Sequence, residues 1–297
     1  MRFIDRLIDK ANDFQKEHRL FAFTLAVIKK YGDDMAGREA ALLTYYSFLS
    51  LFPLLLVLTT VTDVIVGRNP HLHSTIINGL TNYFPLLGNQ LATHVHRLNA
   101  SGLAIITGVL FTLYGARGVA DVFRSGMQDI WGVPKKEREG FPENVFKSIA
   151  LIIVGGAGFI LASILAAYTS SSGHGLLFRL LAWAVNIIIL FLLFNFLINF
   201  SLPKHITIKD IWVGAIVAAI GLVLLQYLGG FILSRQLKRL DALYSYFAVA
   251  LGLLFWIYLQ AQVLYYSVEI AVVKSKNLWP RSLKSNNPTP ADEAASL

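Results

Sequence analysis

The stretch that decides the fold runs from Ile149 to Tyr168 and reads IALIIVGGAGFILASILAAY. It holds 20 residues without one charge. A helix of that length, rising about 1.5 Å per residue, crosses a hydrocarbon core of roughly 30 Å. The whole chain has the same character, because only 15% of its residues are charged, against about 25% in average soluble proteins. The composition therefore favours an integral membrane protein over a soluble or a disordered one.

Five further segments extend this pattern along the chain. Four are long apolar runs that carry at most one charge each, and the fifth begins apolar at residue 103 and ends in polar helical turns. Runs of this length and polarity are typical of transmembrane helices. We predict an all-α, polytopic membrane protein with six transmembrane helices inside a domain of residues 40–275. The predicted spans are 40–66, 103–124, 149–168, 177–201, 211–233 and 246–273.

The two ends of the chain are more polar. In residues 1–39, apolar side chains recur at helical spacing from Phe3 to Phe14, which predicts an amphipathic helix on the membrane surface or on the bundle. Charges among the first ten residues argue against a cleaved signal peptide. Residues 276–297 are polar and contain Pro288 and Pro290, so we expect a disordered cytoplasmic tail.

The distribution of Lys and Arg predicts the orientation. With both termini in the cytoplasm, 20 of the 26 basic residues fall on the cytoplasmic side, as the positive-inside rule requires. The net charge of +8 is then mainly an orientation signal. We therefore expect membrane lipids as partners and no nucleic acid.

Two helical stripes of polar side chains interrupt the apolar spans. Residues three or four positions apart share one face of a helix. Span two carries what we call the arginine stripe, made of Tyr114, Arg117, Asp121, Arg124 and Gln128. Span six carries the glutamate stripe, made of Tyr258, Gln262, Tyr265 and Glu269. Ionisable residues inside spans are energetically costly and mark substrate or ion pathways. The candidate site residues in the two stripes are Arg117, Asp121, Arg124, Tyr258, Gln262 and Glu269.

The charged members of the stripes support one structural hypothesis and one alternative. Counted along their helices, they fall in the cytoplasmic half of the membrane or at its rim. Arg117, Asp121, Arg124 and Glu269 would form an ion-paired cluster that lines or closes a cavity open to the cytoplasm. In the alternative, Arg124 and Glu269 extend to the lipid headgroups, and Arg117 pairs with Asp121 inside the bundle.

Span one contributes a different candidate feature. Pro53 cannot donate a hydrogen bond to the carbonyl of Leu49, so the helix should kink or loosen there. Tyr46, Ser50 and Pro53 share a face. A loosened helix beside hydroxyl groups can expose a carbonyl to a passing substrate or ion. The alternative is a static kink that only shapes the bundle.

The sequence offers no convincing metal, cofactor or enzyme signature. Two His-x-His pairs, His71 with His73 and His94 with His96, fall in the external segment 67–102. The second pair lies in a helix-like stretch, where residues two apart do not face each other, so we predict no metal site and leave the role of these histidines open. There is no cysteine, no phosphate-binding glycine loop and no hydrolase motif, so we expect no cofactor and no enzymatic activity.

Several motifs resemble one family of bacterial inner-membrane proteins. Span one reads AALLTYYSFLSLFPLL over Ala40–Leu55, and span two closes with MQDIW over Met127–Trp131. Leu202-Pro203, Trp212, Gly214-Ala215, Trp256-Ile257-Tyr258 and Glu269 add weaker matches. Together they resemble the BrkB/YihY family over about residues 35–275. Ser245 and Ser267-Val268 depart from it, since glycine and Gly-Ala are usual there.

The resemblance implies six transmembrane helices, a multi-pass location in the inner membrane and no settled activity. An old ribonuclease label of the family is regarded as a misassignment. Our functional expectation is a transporter or exporter of an anionic or amphipathic substrate, with a lipid as one version, since a guanidinium suits phosphate and carboxylate groups. A non-transporting membrane scaffold or envelope-integrity protein is the competing interpretation. Substrate, direction, energy source and oligomeric state stay open.

Overall fold

The described chain consists of helices and short connections. A computed structural model describes residues 14–15, 17–66, 102–170, 176–236, 242–282 and 289–295. Its α-helices are α1 (Arg19–Asp33), α2 (Ala36–Val66), α3 (Gly102–Ile130), α4 (Glu143–Ser170), α5 (Leu176–Ser201), α6 (Ile208–Gln236), α7 (Ala242–Ser275) and α8 (Pro290–Ala295). A short 3-10 turn, Lys135–Glu137, lies between α3 and α4. These ranges contain no β-strand, which confirms the all-α class.

Six of these helices are long enough to cross a membrane. Helices α2 to α7 have between 26 and 34 residues each. Within the described residues, α3 to α7 each contain a segment apolar enough for a membrane span. Helix α2, with 31 residues, coincides with the apolar run predicted as span one. The prediction of a polytopic protein with six transmembrane helices is confirmed.

The helices are longer than the predicted spans at several ends. Helix α3 runs on to Ile130 rather than to residue 124, and α7 begins at Ala242 rather than at residue 246. Hydropathy locates only the apolar part of a helix. Polar turns remain helical when their side chains find partners in neighbouring helices, and Arg124 and Gln128 in the last turns of α3 are both buried.

The six long helices pack as a closed ring. Helix α2 packs along α3 on one side and along α7 on the other, and α4, α5 and α6 complete the circle in chain order. Helix α1 lies across α7 and also touches α2. Its apolar residues Ala22, Ala26 and Val27 are buried. A left-handed residue, Met35 with φ of 51°, turns the chain from α1 into α2.

The N-terminal prediction is only partly covered by the structure. The amphipathic repeat that starts at Phe3 lies almost entirely outside the described residues, which begin at Phe14. The remainder of segment 1–39 contains α1 and the start of α2.

The expectation of a disordered tail is wrong for the described parts of residues 276–297. Helix α8 is held by Asp292, whose Oδ1 accepts hydrogen bonds from Lys29 Nζ at 2.7 Å and from Arg281 Nε at 2.9 Å. Burial disfavours the charged form of Asp292, but hydrogen bonds from Lys29, the Thr289 and Ser282 amides and Arg281 hold its pKa far below the usual range. A composition-based expectation cannot detect ion pairs to residues more than 250 positions away.

Candidate functional site

The arginine stripe meets α4 at one end of the bundle. Arg124 Nη1 donates to the carbonyl oxygen of Asn144 at 3.0 Å, and its Nη2 donates to Glu139 Oε2 at 2.8 Å. Ser148 Oγ donates to Asp121 Oδ1 at 2.6 Å. These residues, with Lys147, form what we call the α3–α4 junction. It joins α3 to the first turns of α4 through charge-assisted hydrogen bonds, which are the strong kind.

Arg124 and Glu139 are the centre of this junction. The Arg124 residue is only 4% exposed, and Glu139 lies between it and Lys147, which also donates to the Glu139 carboxylate. Burial opposes ionisation of Glu139, but the hydrogen bond from Lys147 and the nearby positive charges keep its pKa below the ordinary value. The junction is therefore a buried contact in which the Glu139 carboxylate is held ionised between Arg124 and Lys147.

Exposure increases along the arginine stripe away from the junction. Gln128 is buried and donates to the carbonyl oxygen of Ser201 at 3.0 Å. The side chain of Asp121 is 38% exposed and that of Arg117 is 58% exposed, and Tyr114 is 64% exposed. The side chains of the stripe are thus buried at its C-terminal end and exposed towards its N-terminal end.

Arg117 has one ionic partner and spare donors. Its Nε lies 3.5 Å from Asp121 Oδ2, one helical turn away. This is the i,i+4 pair of the alternative interpretation, although it is half exposed rather than inside the bundle. A guanidinium has five N–H donors, and within the described part of the chain none of those of Arg117 makes a hydrogen bond. The group can therefore bind an additional anion.

Tyr46 and Ser50 of span one lie against the same segment of α3. A Cβ atom added at Gly118 would lie 2.2 Å from Tyr46 Cδ1, and one added at Gly115 would lie 2.6 Å from Ser50 Cβ. Both contacts require glycine, and these two glycines flank Arg117. The sequence analysis missed them, although small residues spaced along a transmembrane helix are a known signal of close packing.

The described residues around Ser50 show no backbone carbonyl exposed by Pro53. Ser50 Oγ donates to the carbonyl of Ser47 at 3.0 Å. Helix α2 continues through Pro53 as one helix, and the Pro53 side chain lies outside the described part of the structure. A carbonyl exposed by Pro53 stays a prediction.

Glu269 is in a different place from the predicted cluster. It is 0% exposed, and its Oε2 lies 3.6 Å from Lys30 Nζ. Arg117 pairs with Asp121, and Arg124 pairs with Glu139. The prediction of a single cluster that joins Arg117, Asp121, Arg124 and Glu269 is therefore wrong. So is the alternative in which Arg124 and Glu269 extend to the headgroups, because both are buried.

The physical reason is the position of α1. This helix packs on α7 and inserts Lys30 next to Glu269, while the arginine stripe faces α4. Lys30 also donates to the carbonyl oxygen of Ile130 at 3.0 Å and to the carboxylate of Asp34. Lys29 and Lys30 follow the short apolar run Leu20–Ile28, and this pair of charges was the available sequence signal for Lys30.

Of the other members of the glutamate stripe, Gln262 contacts α1, whereas the Tyr265 hydroxyl donates to the carbonyl oxygen of Val122 on α3 at 3.4 Å. Tyr258 and Gln262 are half-buried, and Gln262 Oε1 accepts a hydrogen bond from the hydroxyl of Tyr31. The Tyr31 ring stacks on Tyr266 with 3.9 Å between centroids. Burial, followed by the proximity of Tyr266 and Tyr258, raises the pKa of Tyr31 to about 12, so this hydroxyl stays protonated and is a fixed donor.

The histidine pairs cannot be placed, because His71, His73, His94 and His96 lie outside the described residues. Among the residues that are described, no group of three His, Cys, Asp or Glu side chains is arranged to hold a metal ion.

Comparisons with known proteins agree with the fold. The family described as virulence factor BrkB matches residues 27–292. An uncharacterized protein of Dickeya dadantii is 25% identical and covers 67% of each chain. The inner membrane protein YhjD of Escherichia coli is 25% identical over 87% of this chain and 82% of its own.

A third relative is longer than this chain. A UPF0761 membrane protein of Chlorobium chlorochromatii is 26% identical, and the match covers 87% of this chain but 61% of that protein. No solved structure matches the chain. The family match spans most of the 297 residues, including both polar stripes and the junction. The chain is an integral membrane protein of the BrkB family.

Proposed function

We propose that this protein transports an anionic, amphipathic substrate across the bacterial inner membrane, and that Arg117 binds the anionic group of the substrate. The observation that carries the proposal is the half-exposed guanidinium of Arg117 on a membrane-spanning helix. A charge that faced lipid tails alone would be costly, so such residues face a polar path or cavity. Guanidinium groups bind phosphate and carboxylate in a bidentate manner.

The neighbouring residues support a path that is closed on one side. Directly below Arg117, the α3–α4 junction ties the two helices together through Arg124, Glu139 and Ser148. We place both termini, and with them this junction, in the cytoplasm on the basis of the positive-inside rule. A substrate bound at Arg117 is then separated from the cytoplasm by the junction, which must open for passage.

Asp121 has a specific part in this mechanism. Its carboxylate lies 3.5 Å from Arg117 and also accepts the Ser148 hydrogen bond. A substrate anion that binds the spare donors of Arg117 weakens the pairing with Asp121, since both anions share the charge of one guanidinium. Binding is thereby linked to the α3–α4 contact. The energy source is an ion gradient or downhill flow of the substrate.

A flux assay in proteoliposomes tests the proposal. The probes are a headgroup-labelled phosphatidylglycerol and a headgroup-labelled phosphatidylcholine. A membrane-impermeant quencher reaches only the outer leaflet, so the rate at which the protected inner-leaflet fraction falls measures the flux. We expect the protein to move the anionic probe faster than the zwitterionic one. Loss of one charge-assisted hydrogen bond costs about 1.5–3 kcal/mol, so Arg117→Gln should slow the anionic probe about tenfold or more.

The matched control is Arg38→Gln. Arg38 is 66% exposed and lies 3.4 Å from Glu39, outside the apolar part of α2, so its loss should leave the flux unchanged. Equal rates for Arg117→Gln and the unaltered protein, or no flux of either probe, contradict the proposal.

A scaffold function is the second candidate, and the α3–α4 junction favours it. Buried ionic networks can serve only to fix helix positions. A scaffold would be inert in the flux assay while variants of Arg124 lose stability. Flux of the anionic probe that depends on Arg117 separates the two functions.

A further inference from the structure

Glu269 is a buried carboxylate that lacks a hydrogen-bond donor among the described residues. It lies on α7, is 0% exposed, and has both carboxylate oxygens buried without a hydrogen-bond donor among the described residues. Its nearest cation, Lys30 Nζ, is 3.6 Å from Oε2. A buried carboxylate without donors is costly unless it is paired or neutralised.

Lys30 neutralises this carboxylate only in part. Its ammonium donates to Asp34 and, at 3.0 Å, to the carbonyl oxygen of Ile130. One ammonium is thus shared by two carboxylates, and the closer contact belongs to Asp34 rather than Glu269. The other nearby ammonium, Lys276, donates at 3.0 Å to the carbonyl oxygen of Trp131.

The other charged groups on the helices around α7 have partners of their own. Burial and the nearby Lys30 lower the pKa of Lys276. On the remaining elements packed against α7, Tyr31 donates to Gln262 and Glu39 pairs with Arg38. Asp129 pairs with Arg138, and Asp210 accepts from Ser275. None of these contacts offers a second positive charge to Glu269. The local charge of Lys30, Asp34 and Glu269 is one negative unit in excess.

We propose that Glu269 is a proton-binding site, which takes up one proton from the cytoplasmic side and becomes a neutral carboxylic acid. The proton supplies the missing positive charge, and no covalent bond other than O–H is formed. Lys30 links the site to the rest of the bundle, because the same ammonium holds the Ile130 carbonyl at the end of α3. Helix α3 also carries Arg117 and Arg124.

This arrangement couples the proton to transport. Neutral Glu269 no longer attracts Lys30, which then binds Asp34 and the end of α3 alone. Ionised Glu269 draws Lys30 towards α7. The coupling rests on the function proposed above, whereas proton binding by Glu269 does not.

Infrared difference spectroscopy of the full-length protein tests the site directly. Protonated carboxyl groups absorb at a C=O stretch that ionised groups lack. We expect the carboxyl band that remains above about pH 5, where ordinary carboxyl groups are ionised, to lose the signal of one carboxyl in Glu269→Gln. Glu139→Gln is the matched control, since Glu139 is held ionised by its donors, and should leave the band unchanged.

Two further variants keep the test valid if Glu269→Gln fails to fold. Asp34→Asn removes the competitor for Lys30, so the ratio of protonated to ionised Glu269 at pH 7 should fall about tenfold. Lys30→Met removes the ammonium that lies 3.6 Å from Glu269, so that ratio should rise about tenfold. Opposite shifts of this ratio in the two variants support proton binding by Glu269. Identical spectra of Glu269→Gln and the unaltered protein, or unchanged bands in both other variants, overturn it whatever the flux assay shows.

The flux assay then tests the coupling. We expect anionic-probe flux to depend on pH in the unaltered protein and to lose that dependence in Glu269→Gln. A pH-independent flux together with a titrating Glu269 band overturns the coupling and leaves the transport function intact. Absence of any flux overturns the transport function instead.

Discussion

Substitution of Gly115 by alanine should separate helices α2 and α3. The added Cβ would lie 2.6 Å from Ser50 Cβ and 2.9 Å from Ser50 Cα, whereas carbon atoms in contact normally stay about 3.5–4.0 Å apart. The second of these atoms belongs to the backbone, so a change of rotamer cannot relieve the clash. The two helices must move apart by up to about 1 Å to restore ordinary contact.

The expected free-energy change follows from two opposing effects. Overpacking of this kind costs about 1–3 kcal/mol, and replacing glycine by alanine within a helix returns about 0.5–1 kcal/mol. Gly156 in α4 isolates the second effect, because nothing lies within 4 Å of a Cβ added there. Gly115→Ala should therefore unfold more readily than the unaltered protein, and Gly156→Ala slightly less readily.

The assay is unfolding of both variants in the same mixed micelles, with the free energy of unfolding taken from the denaturant midpoint. The difference between them should be about 1–3 kcal/mol, the cost of overpacking alone. Ser50→Gly in the Gly115→Ala background removes the 2.6 Å contact but not the 2.9 Å one, so it should restore part of the loss. Equal stability of Gly115→Ala and Gly156→Ala would refute the close approach of α2 and α3.

Three other expectations concern the junction, the tail and the orientation. Arg124→Ala should cost about 3–5 kcal/mol of unfolding free energy, and a double-mutant cycle with Glu139→Gln should give a coupling of about 1.5–3 kcal/mol; a coupling near zero contradicts the junction. Asp292→Asn should release α8 and speed its proteolysis. Because the pKa of Asp292 is depressed, its stabilising effect is present above about pH 4 and is lost as pH falls through the lowered pKa; an unchanged proteolysis rate at lower pH contradicts this. A reporter that is active only in the cytoplasm should be active when it is fused to either terminus.

The sequence was sufficient for the membrane-spanning helices and for one local ion pair. Hydrophobic length identified the spans, and helical periodicity brought Arg117 and Asp121 into contact. Both are properties of a single helix, for which the spacing of residues along the chain determines which of them meet.

The partners across helices could not be predicted in the same way. Periodicity placed Arg124 and Glu269 on polar faces, but it does not say which helix each face meets. Their partners, Glu139 and Lys30, lie in a loop and in a short helix that hydropathy treats as outside the membrane. Such contacts depend on how helices pack, and Gly115 and Gly118 fix that packing at only a few points.

Solvent accessibility at Arg117 tests the central claim most directly. The chain has no cysteine, so Arg117→Cys creates a single thiol without further changes. A thiol reacts as its thiolate, which requires water. We expect a membrane-impermeant thiol reagent to label Arg117→Cys in intact membranes. Leu192→Cys, on an exposed apolar position of α5, should stay unlabelled. Labelling of Arg117→Cys no faster than that of Leu192→Cys would place Arg117 against lipid and contradict a substrate path at this residue.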